Sequence, residues 1–149
     1  MGKFQPALTF SFGGYVALAM LEAAPERVQG IALLCTAPFA DSEAAAQKRL
    51  AALDAVAQGR YFEMVSAQAG NPFHPGSLNN SALMSARQRM VQAYGPQTYA
   101  AHVRATAARP DRSHLLNGDR PTLVLAASHD RGFAPETLQA YARHLPGAR

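Results

Sequence analysis

Ser11 stands where an apolar run stops and a pair of glycines begins, in the stretch LTFSFGGYVALAM at residues 8–20. Few local structures tolerate that order. Residues 4–10 are apolar and suit a short buried strand, with Pro6 confined to its start or to a sheet edge because proline donates nothing to the ladder. Residues 13–24 carry a helical repeat, with Val16, Ala19, Met20 and Ala23 three and four positions apart. Pro25 then stops the helix. Residues 28–34, in RVQGIALLCTA, are apolar on both faces, the pattern of a parallel strand covered on two sides. Strand, helix and strand in succession make a βαβ unit.

The middle of the chain has another character. Between residues 41 and 117 it is rich in Ala, Gln, Arg and Met and holds no strand-like run. The pattern predicts helices over 41–59, with Asp41 or Ser42 as cap, over 60–70, over 81–95 and over 96–110, with Pro96 in a first turn. Residues 71–80 read as a loop from their Pro, Gly and Asn. A short helix over 111–118 returns the chain. A third apolar strand, 122–127, ends in a polar turn holding Asp130, and a last helix follows before Pro146-Gly147. The expected organisation is an α/β core in two parts, 1–40 and 118–149, around a helical insert at 41–117. It forms one domain overall, with three parallel strands.

Composition removes several functions. One cysteine, Cys35, excludes an internal disulfide and multi-cysteine metal sites; it lies in an apolar run and reads as a buried small residue. The net charge is +4, but the arginines are scattered and not interleaved with aromatics, so nucleic acid is not the expected partner. No apolar run reaches the roughly 18 residues of a membrane span, and residues 1–3 lead into no signal peptide. The expectation is a soluble cytoplasmic protein without a metal, and the Ala-, Arg- and Gly-heavy composition suggests a bacterial source.

The turn at Ser11 also has the context of a nucleophile elbow: strand, exposed serine, small residues, helix. In such a turn Gly13 supplies room. The N–H of Phe12 faces the place where an oxyanion would form, and the helix start adds a positive partial charge. SFGGYVALAMLEAAPERVQGIALLCTAPF resembles the elbow, following helix and next strand of the α/β-hydrolase family. RPTLVLAASHDRGFAPE resembles that family's later strand and acid loop, and the insert resembles its helical cap in position and size. The resemblance implies Ser11 as nucleophile, Asp130 as acid, and the Phe12 backbone as one oxyanion donor. Asp41 is the weaker stand-in for the acid. It also implies an acyl pocket shaped by cap residues such as Phe62, Met64, Met84 and Tyr94, a small-molecule substrate and no cofactor.

The match departs from the family in three places. Thr9 stands where the first elbow glycine belongs. The family places four strands before the elbow, so the first strand here would present a bare apolar edge. The family's order Ser, Asp, His puts the histidine after one further strand. Of the five histidines His74, His102, His114, His129 and His144, His129 is the nearest substitute base. The expectation is a partial α/β-hydrolase core with a cap, acting on an ester-like or other carbonyl substrate but incomplete at both ends and inactive alone. The alternative is a non-catalytic remnant or small-ligand-binding protein of the same fold.

Overall fold

A computed structural model describes residues 5–117 and 120–145. In chain order the elements are β1 (Gln5–Phe10), α1 (Phe12–Ala23), β2 (Val28–Leu34), α2 (Glu43–Ala57), α3 (Tyr61–Ala67), α4 (Ser81–Ala107), β3 (Thr122–Leu125) and α5 (Pro135–Ala142). Single 3-10 turns cover Pro25–Arg27, Pro75–Ser77 and Ser113–Leu116. The short helix expected over 111–118 is therefore one such turn, and the third strand is two residues shorter than its apolar run. Two compact units result: residues 1–40 with 110–149, and Asp41–Arg109.

The first unit is built on a parallel sheet in the order β1-β2-β3. β1 is an edge strand, and its ladder shifts register between Gln5 and Ala7, around Pro6, the residue that cannot donate. One face of the sheet is covered. Ile31 and Leu33 of β2 pack with Ala17, Leu18 and Leu21 of α1 and with Leu116 and Leu145. Burying each such leucine or isoleucine contributes about 1.5–3 kcal/mol, so this cluster holds the unit together. The helix buries a different stripe from the one its spacing predicts. Ala17, Leu18 and Leu21 face the sheet, while Val16 and Met20 are exposed.

The opposite face is open. The register aligns Leu8 with Ala32 and Leu123, and Phe10 with Leu34 and Leu125. Leu8 is 74% and Phe10 66% exposed, with Leu123 and Leu125 also exposed. The expectation of a strand covered on both sides therefore holds for one side only among the described residues. An apolar face of this extent is unusual for a parallel sheet, whose strands are normally sandwiched.

One contact decides how α1 meets the sheet. A Cβ added at Gly14 would lie 2.4 Å from Thr36 Cγ2 and 2.7 Å from its Oγ1. At Gly13, the glycine expected to supply room, the nearest atom would be Thr9 Cβ at 3.9 Å, an ordinary contact. The close approach thus belongs to Gly14. Thr36 is fully buried, and its Oγ1 is the one buried side-chain polar atom without a hydrogen bond among the described residues. Thr9, in place of an elbow glycine, fits without conflict: its hydroxyl donates to the Ala32 carbonyl at 2.8 Å.

The second unit is helical. Ser42 caps α2, its Oγ accepting from the Ala45 N–H at 3.3 Å. Asn80 caps α4 through the Leu83 N–H at 3.0 Å. The two helices predicted over 81–110 run on as α4, broken at Gly95, where φ is 70° and ψ 166°. Only glycine adopts that conformation readily, and Pro96 then starts the second half where a missing N–H is harmless. Tyr61, 2% exposed, sits among these helices with its hydroxyl donating to the Val91 carbonyl.

Asp41 is tied down by two arginines. Arg109 Nη1 lies 2.7 Å from Asp41 Oδ1, and Arg49 reaches both carboxylate oxygens. The Asp41 and Arg109 side chains are 5% and 6% exposed. Burial alone would raise the Asp41 carboxyl, but the hydrogen bonds and charges of Arg49 and Arg109 outweigh it and hold it below its ordinary value. Its acidity serves this ion pair, so the alternative acid of the sequence reading has both oxygens occupied.

Two outcomes are expected. Gly14→Ala should lower the melting temperature by several degrees, because forcing an extra methyl into a packed site costs about 1–3 kcal/mol. Adding Thr36→Ala should restore part of that loss, and Gly13→Ala should be neutral or stabilising. Asp41→Asn should cost about 3 kcal/mol at neutral pH by leaving Arg109 buried without its counter-ion. A carboxyl depressed in the folded state stabilises above its unfolded pKa and loses that contribution as pH falls through the folded value. Urea midpoints of wild type and Asp41→Asn should therefore differ at pH 7 and converge below pH 3.8.

Candidate active site

The carboxyl ends of the three parallel strands form one edge of the sheet, the place where ligands bind in open α/β folds. Three residues singled out by chemistry or geometry lie there. Ser11 follows β1, Cys35 follows β2, and Asp130 lies in the turn after β3. Backbone bonds cross-link these ends: the Ser11 N–H donates to the Leu34 carbonyl at 3.0 Å, and the Cys35 N–H to the Leu125 carbonyl at 2.8 Å.

Ser11 is exposed, with φ 50° and ψ −121°. That is left-handed territory, which a residue with a Cβ enters only at a cost of about 1–3 kcal/mol. Its position is that of a helix cap, but its side chain caps nothing, and its hydroxyl bonds to no described residue. The local structure follows from what surrounds it. β1 ends in hydrogen bonds to β2, α1 must start at once to bury Leu18 and Leu21, and the Gly14 N–H returns to the Ser11 carbonyl at 2.9 Å. The chain reverses over one residue, and that residue is the serine. Phe12 opens α1, its ring edge-on to Tyr15.

Asp130 is partly buried. Its Oδ1 accepts from the Gly132 N–H at 2.7 Å and the Phe133 N–H at 3.1 Å. These two bonds lock the loop and leave Oδ2 as the carboxylate's other acceptor.

Cys35 is not the plain buried residue its apolar run suggests. It is half-buried, and its φ of 48° makes it, with Ser11, one of two non-glycine residues at positive φ among the described residues. Burial pushes its thiol up, and the charge and hydrogen bonding of Asp130 push the same way, against a weaker opposite pull from the Ala127 backbone. The thiol and the carboxylate therefore face one another.

The histidines are dispersed. His74 Nδ1 accepts from the Gly76 N–H at 3.0 Å, and His102 pairs with Tyr94 inside the second unit. His114 and His144 are exposed on the first unit. His129, the nearest substitute base in sequence, is exposed with its Nδ1 2.9 Å from Ser128 Oγ. Of the four proposed pocket residues, Phe62 (50% exposed) and Met64 lie on α3, and Met84 and Tyr94 on the first half of α4. Phe62 lines a cavity within the second unit; the other three do not. No group of three His, Cys, Asp or Glu among the described residues is placed to hold a metal ion, and no helix among them is long and apolar enough to cross a membrane.

The turn geometry at Ser11, the close approach at Gly14 and the Cys35–Asp130 contact are not readable from periodicity. The GG pair after Ser11 was the signal for the first two, and nothing in the sequence signalled the third.

Comparison with known proteins adds an independent line. The family of the alpha/beta hydrolase fold matches residues 3–149. No curated protein matches the chain. Among solved structures, a thermophilic esterase from Thermogutta terrifontis is 26% identical with a TM-score of 0.84, covering 97% of this chain and 54% of its own. A hydrolase from Pseudomonas aeruginosa is 26% identical with a TM-score of 0.83, covering 98% and 55%. An enol-lactonase from Burkholderia xenovorans, 22% identical with a TM-score of 0.79, shares the fold over 98% and 55%. The chain spans about half the length of these structures.

The backbone strain at position 11 is directly measurable. Ser11→Gly should raise stability by about 1 kcal/mol, since glycine occupies that conformation without a Cβ clash. A thermal melt showing no gain would mean that the turn relaxes in solution.

Proposed function

The chain belongs to the alpha/beta hydrolase fold family, and on that premise we propose that it carries the nucleophile and acid of a serine hydrolase acting on an ester-like or other carbonyl substrate. One observation carries the reading: Ser11 is held at φ 50° on a strand-to-helix turn with its hydroxyl exposed and uncapped. Strain of this kind is retained where the surrounding structure over-determines it and function uses it. The structural neighbour described as an esterase, at 26% identity, supports the substrate class.

In the proposed reaction Ser11 Oγ attacks the carbonyl carbon and forms the new C–O bond. A histidine takes the hydroxyl proton and returns it to the departing alcohol. The negative charge on the former carbonyl oxygen meets the Phe12 N–H at the start of α1. Asp130, its Oδ1 pinned by two backbone N–H groups, offers Oδ2 to orient the histidine. Water then cleaves the acyl-serine by the same route. In this reading the base is a histidine absent from this chain, with His129 as the candidate substitute. Phe62, Met64, Met84 and Tyr94 shape the acyl pocket in this reading. No cofactor takes part, and a bacterial cytoplasmic setting accords with the composition.

A second reading has a specific observation behind it. Ser11 Oγ has no hydrogen-bond partner among the described residues, and a serine without a base is a poor nucleophile. A non-catalytic member of the fold that binds a small ligand would look the same at this position.

A fluorophosphonate probe separates the two. Labelling of the wild-type chain that Ser11→Ala abolishes supports the hydrolase. Absence of labelling both in this chain and in a longer chain carrying the family's histidine, each with a cooperative thermal transition, supports the non-catalytic reading.

A further inference from the structure

The second unit holds a cavity of about 460 Å³ that belongs to that unit alone. That volume falls in the range of small-molecule sites. Its walls come from the end of α2 (Val56), the start of α3 (Phe62) and the second half of α4 (Pro96, Gln97, Ala100, Arg104). The chemistry of the walls is uneven. Gln97, Ala100 and Arg104 are three and four positions apart and so stack on one helix face. Ala100 between them leaves space that a larger side chain would fill. Val56, Phe62 and Pro96 add apolar surface, and Tyr61, also in the wall, donates its hydroxyl to the Val91 carbonyl.

The polar groups point to one class of ligand. Arg104 is the only charged side chain lining the cavity, and it makes no ion pair or side-chain hydrogen bond to a described residue. Four other arginines of the unit are engaged, Arg49 and Arg109 by Asp41, Arg60 by Gln58 and Arg87 by the Val65 carbonyl, and Arg89 does not line the cavity. A single guanidinium fork matches a planar carboxylate in bidentate fashion, and the Gln97 amide two turns away adds a donor. An apolar wall opposite one cation selects an anion with a hydrocarbon body over inorganic phosphate or a sugar.

We propose that the cavity between α2, α3 and the second half of α4 binds a small monocarboxylate with an apolar tail, its carboxylate on Arg104 and its tail against Phe62 and Val56. The proposal does not rest on the hydrolase reading.

The test is a titration of the full chain with octanoate, followed by amide chemical shifts. The expected result is saturable shifts at Gly59, Phe62, Ala100 and Arg104. In Arg104→Gln the affinity should fall about tenfold or more, the scale of losing a charge-assisted hydrogen bond. Octan-1-ol, which keeps the tail and loses the charge, should bind weakly and equally to both proteins. Arg104→Glu provides the second variant: it should reject octanoate and accept octylammonium. Arg104 is exposed, so both variants should keep the wild-type melting temperature. The proposal is overturned by octanoate affinity that Arg104→Gln leaves unchanged. Shifts gathered at Leu8, Phe10 and Leu125 would overturn it too, since they would mark adsorption to the open sheet face. So would the absence of any saturable shift.

Discussion

The contact between Gly14 and Thr36 is the constraint on which the first unit turns. The first turn of α1 can lie against the end of β2 only because position 14 has no side chain; a Cβ there would meet Thr36 at 2.4 Å. That approach lets α1 start one residue after β1 ends, with Leu18 and Leu21 already over the sheet. The chain then has a single residue in which to turn, and that residue takes a positive φ. Strain at Ser11 and tight packing at Gly14 are two consequences of one geometry. The stabilisation that sustains the strain comes from the apolar cluster behind it, where the buried leucines together contribute more than the turn costs.

The same sheet edge collects unlike chemistry for a topological reason. Parallel strands all end on one side, so the residues that follow β1, β2 and β3 become neighbours although they are far apart in sequence. Ser11, Cys35 and Asp130 come to the same sheet edge that way. Asp130 is oriented by its own loop, through Gly132 and Phe133, and burial together with the charge and hydrogen bonding of Asp130 holds the Cys35 thiol above its ordinary pKa. The open face of the sheet is the counterpart of this order. Leu8, Phe10, Leu123 and Leu125 form rows that the described residues leave uncovered, and structures of the same fold that match nearly all of this chain are almost twice its length.

The acidic residues show how context divides one chemistry into separate roles. Asp41 and Asp130 both follow strand-like runs in the sequence. Asp41 became the buried partner of Arg49 and Arg109, where an unpaired charge would cost several kcal/mol. Asp130 lies after β3, its Oδ1 held by the Gly132 and Phe133 N–H groups. Nothing in the local sequence distinguishes them, because the distinction lies in which cations the fold brings near.

By itself the sequence determined the βαβ beginning, the helical insert, the third strand and the strand–serine–helix turn. Each rests on apolar periodicity, a glycine, a proline or a cap within a few residues, and such signals act locally. Ser42, Asn80, Gly95 and Pro96 do in the structure what their types demand. The tertiary structure decided the rest. It buried Ala17, Leu18 and Leu21 rather than Val16 and Met20, because a helix apolar on several sides buries whichever stripe the sheet meets. It made Gly14 rather than Gly13 the point of contact, and brought Cys35 to Asp130. Those outcomes depend on distances between segments that are remote in the chain, and no local pattern records them.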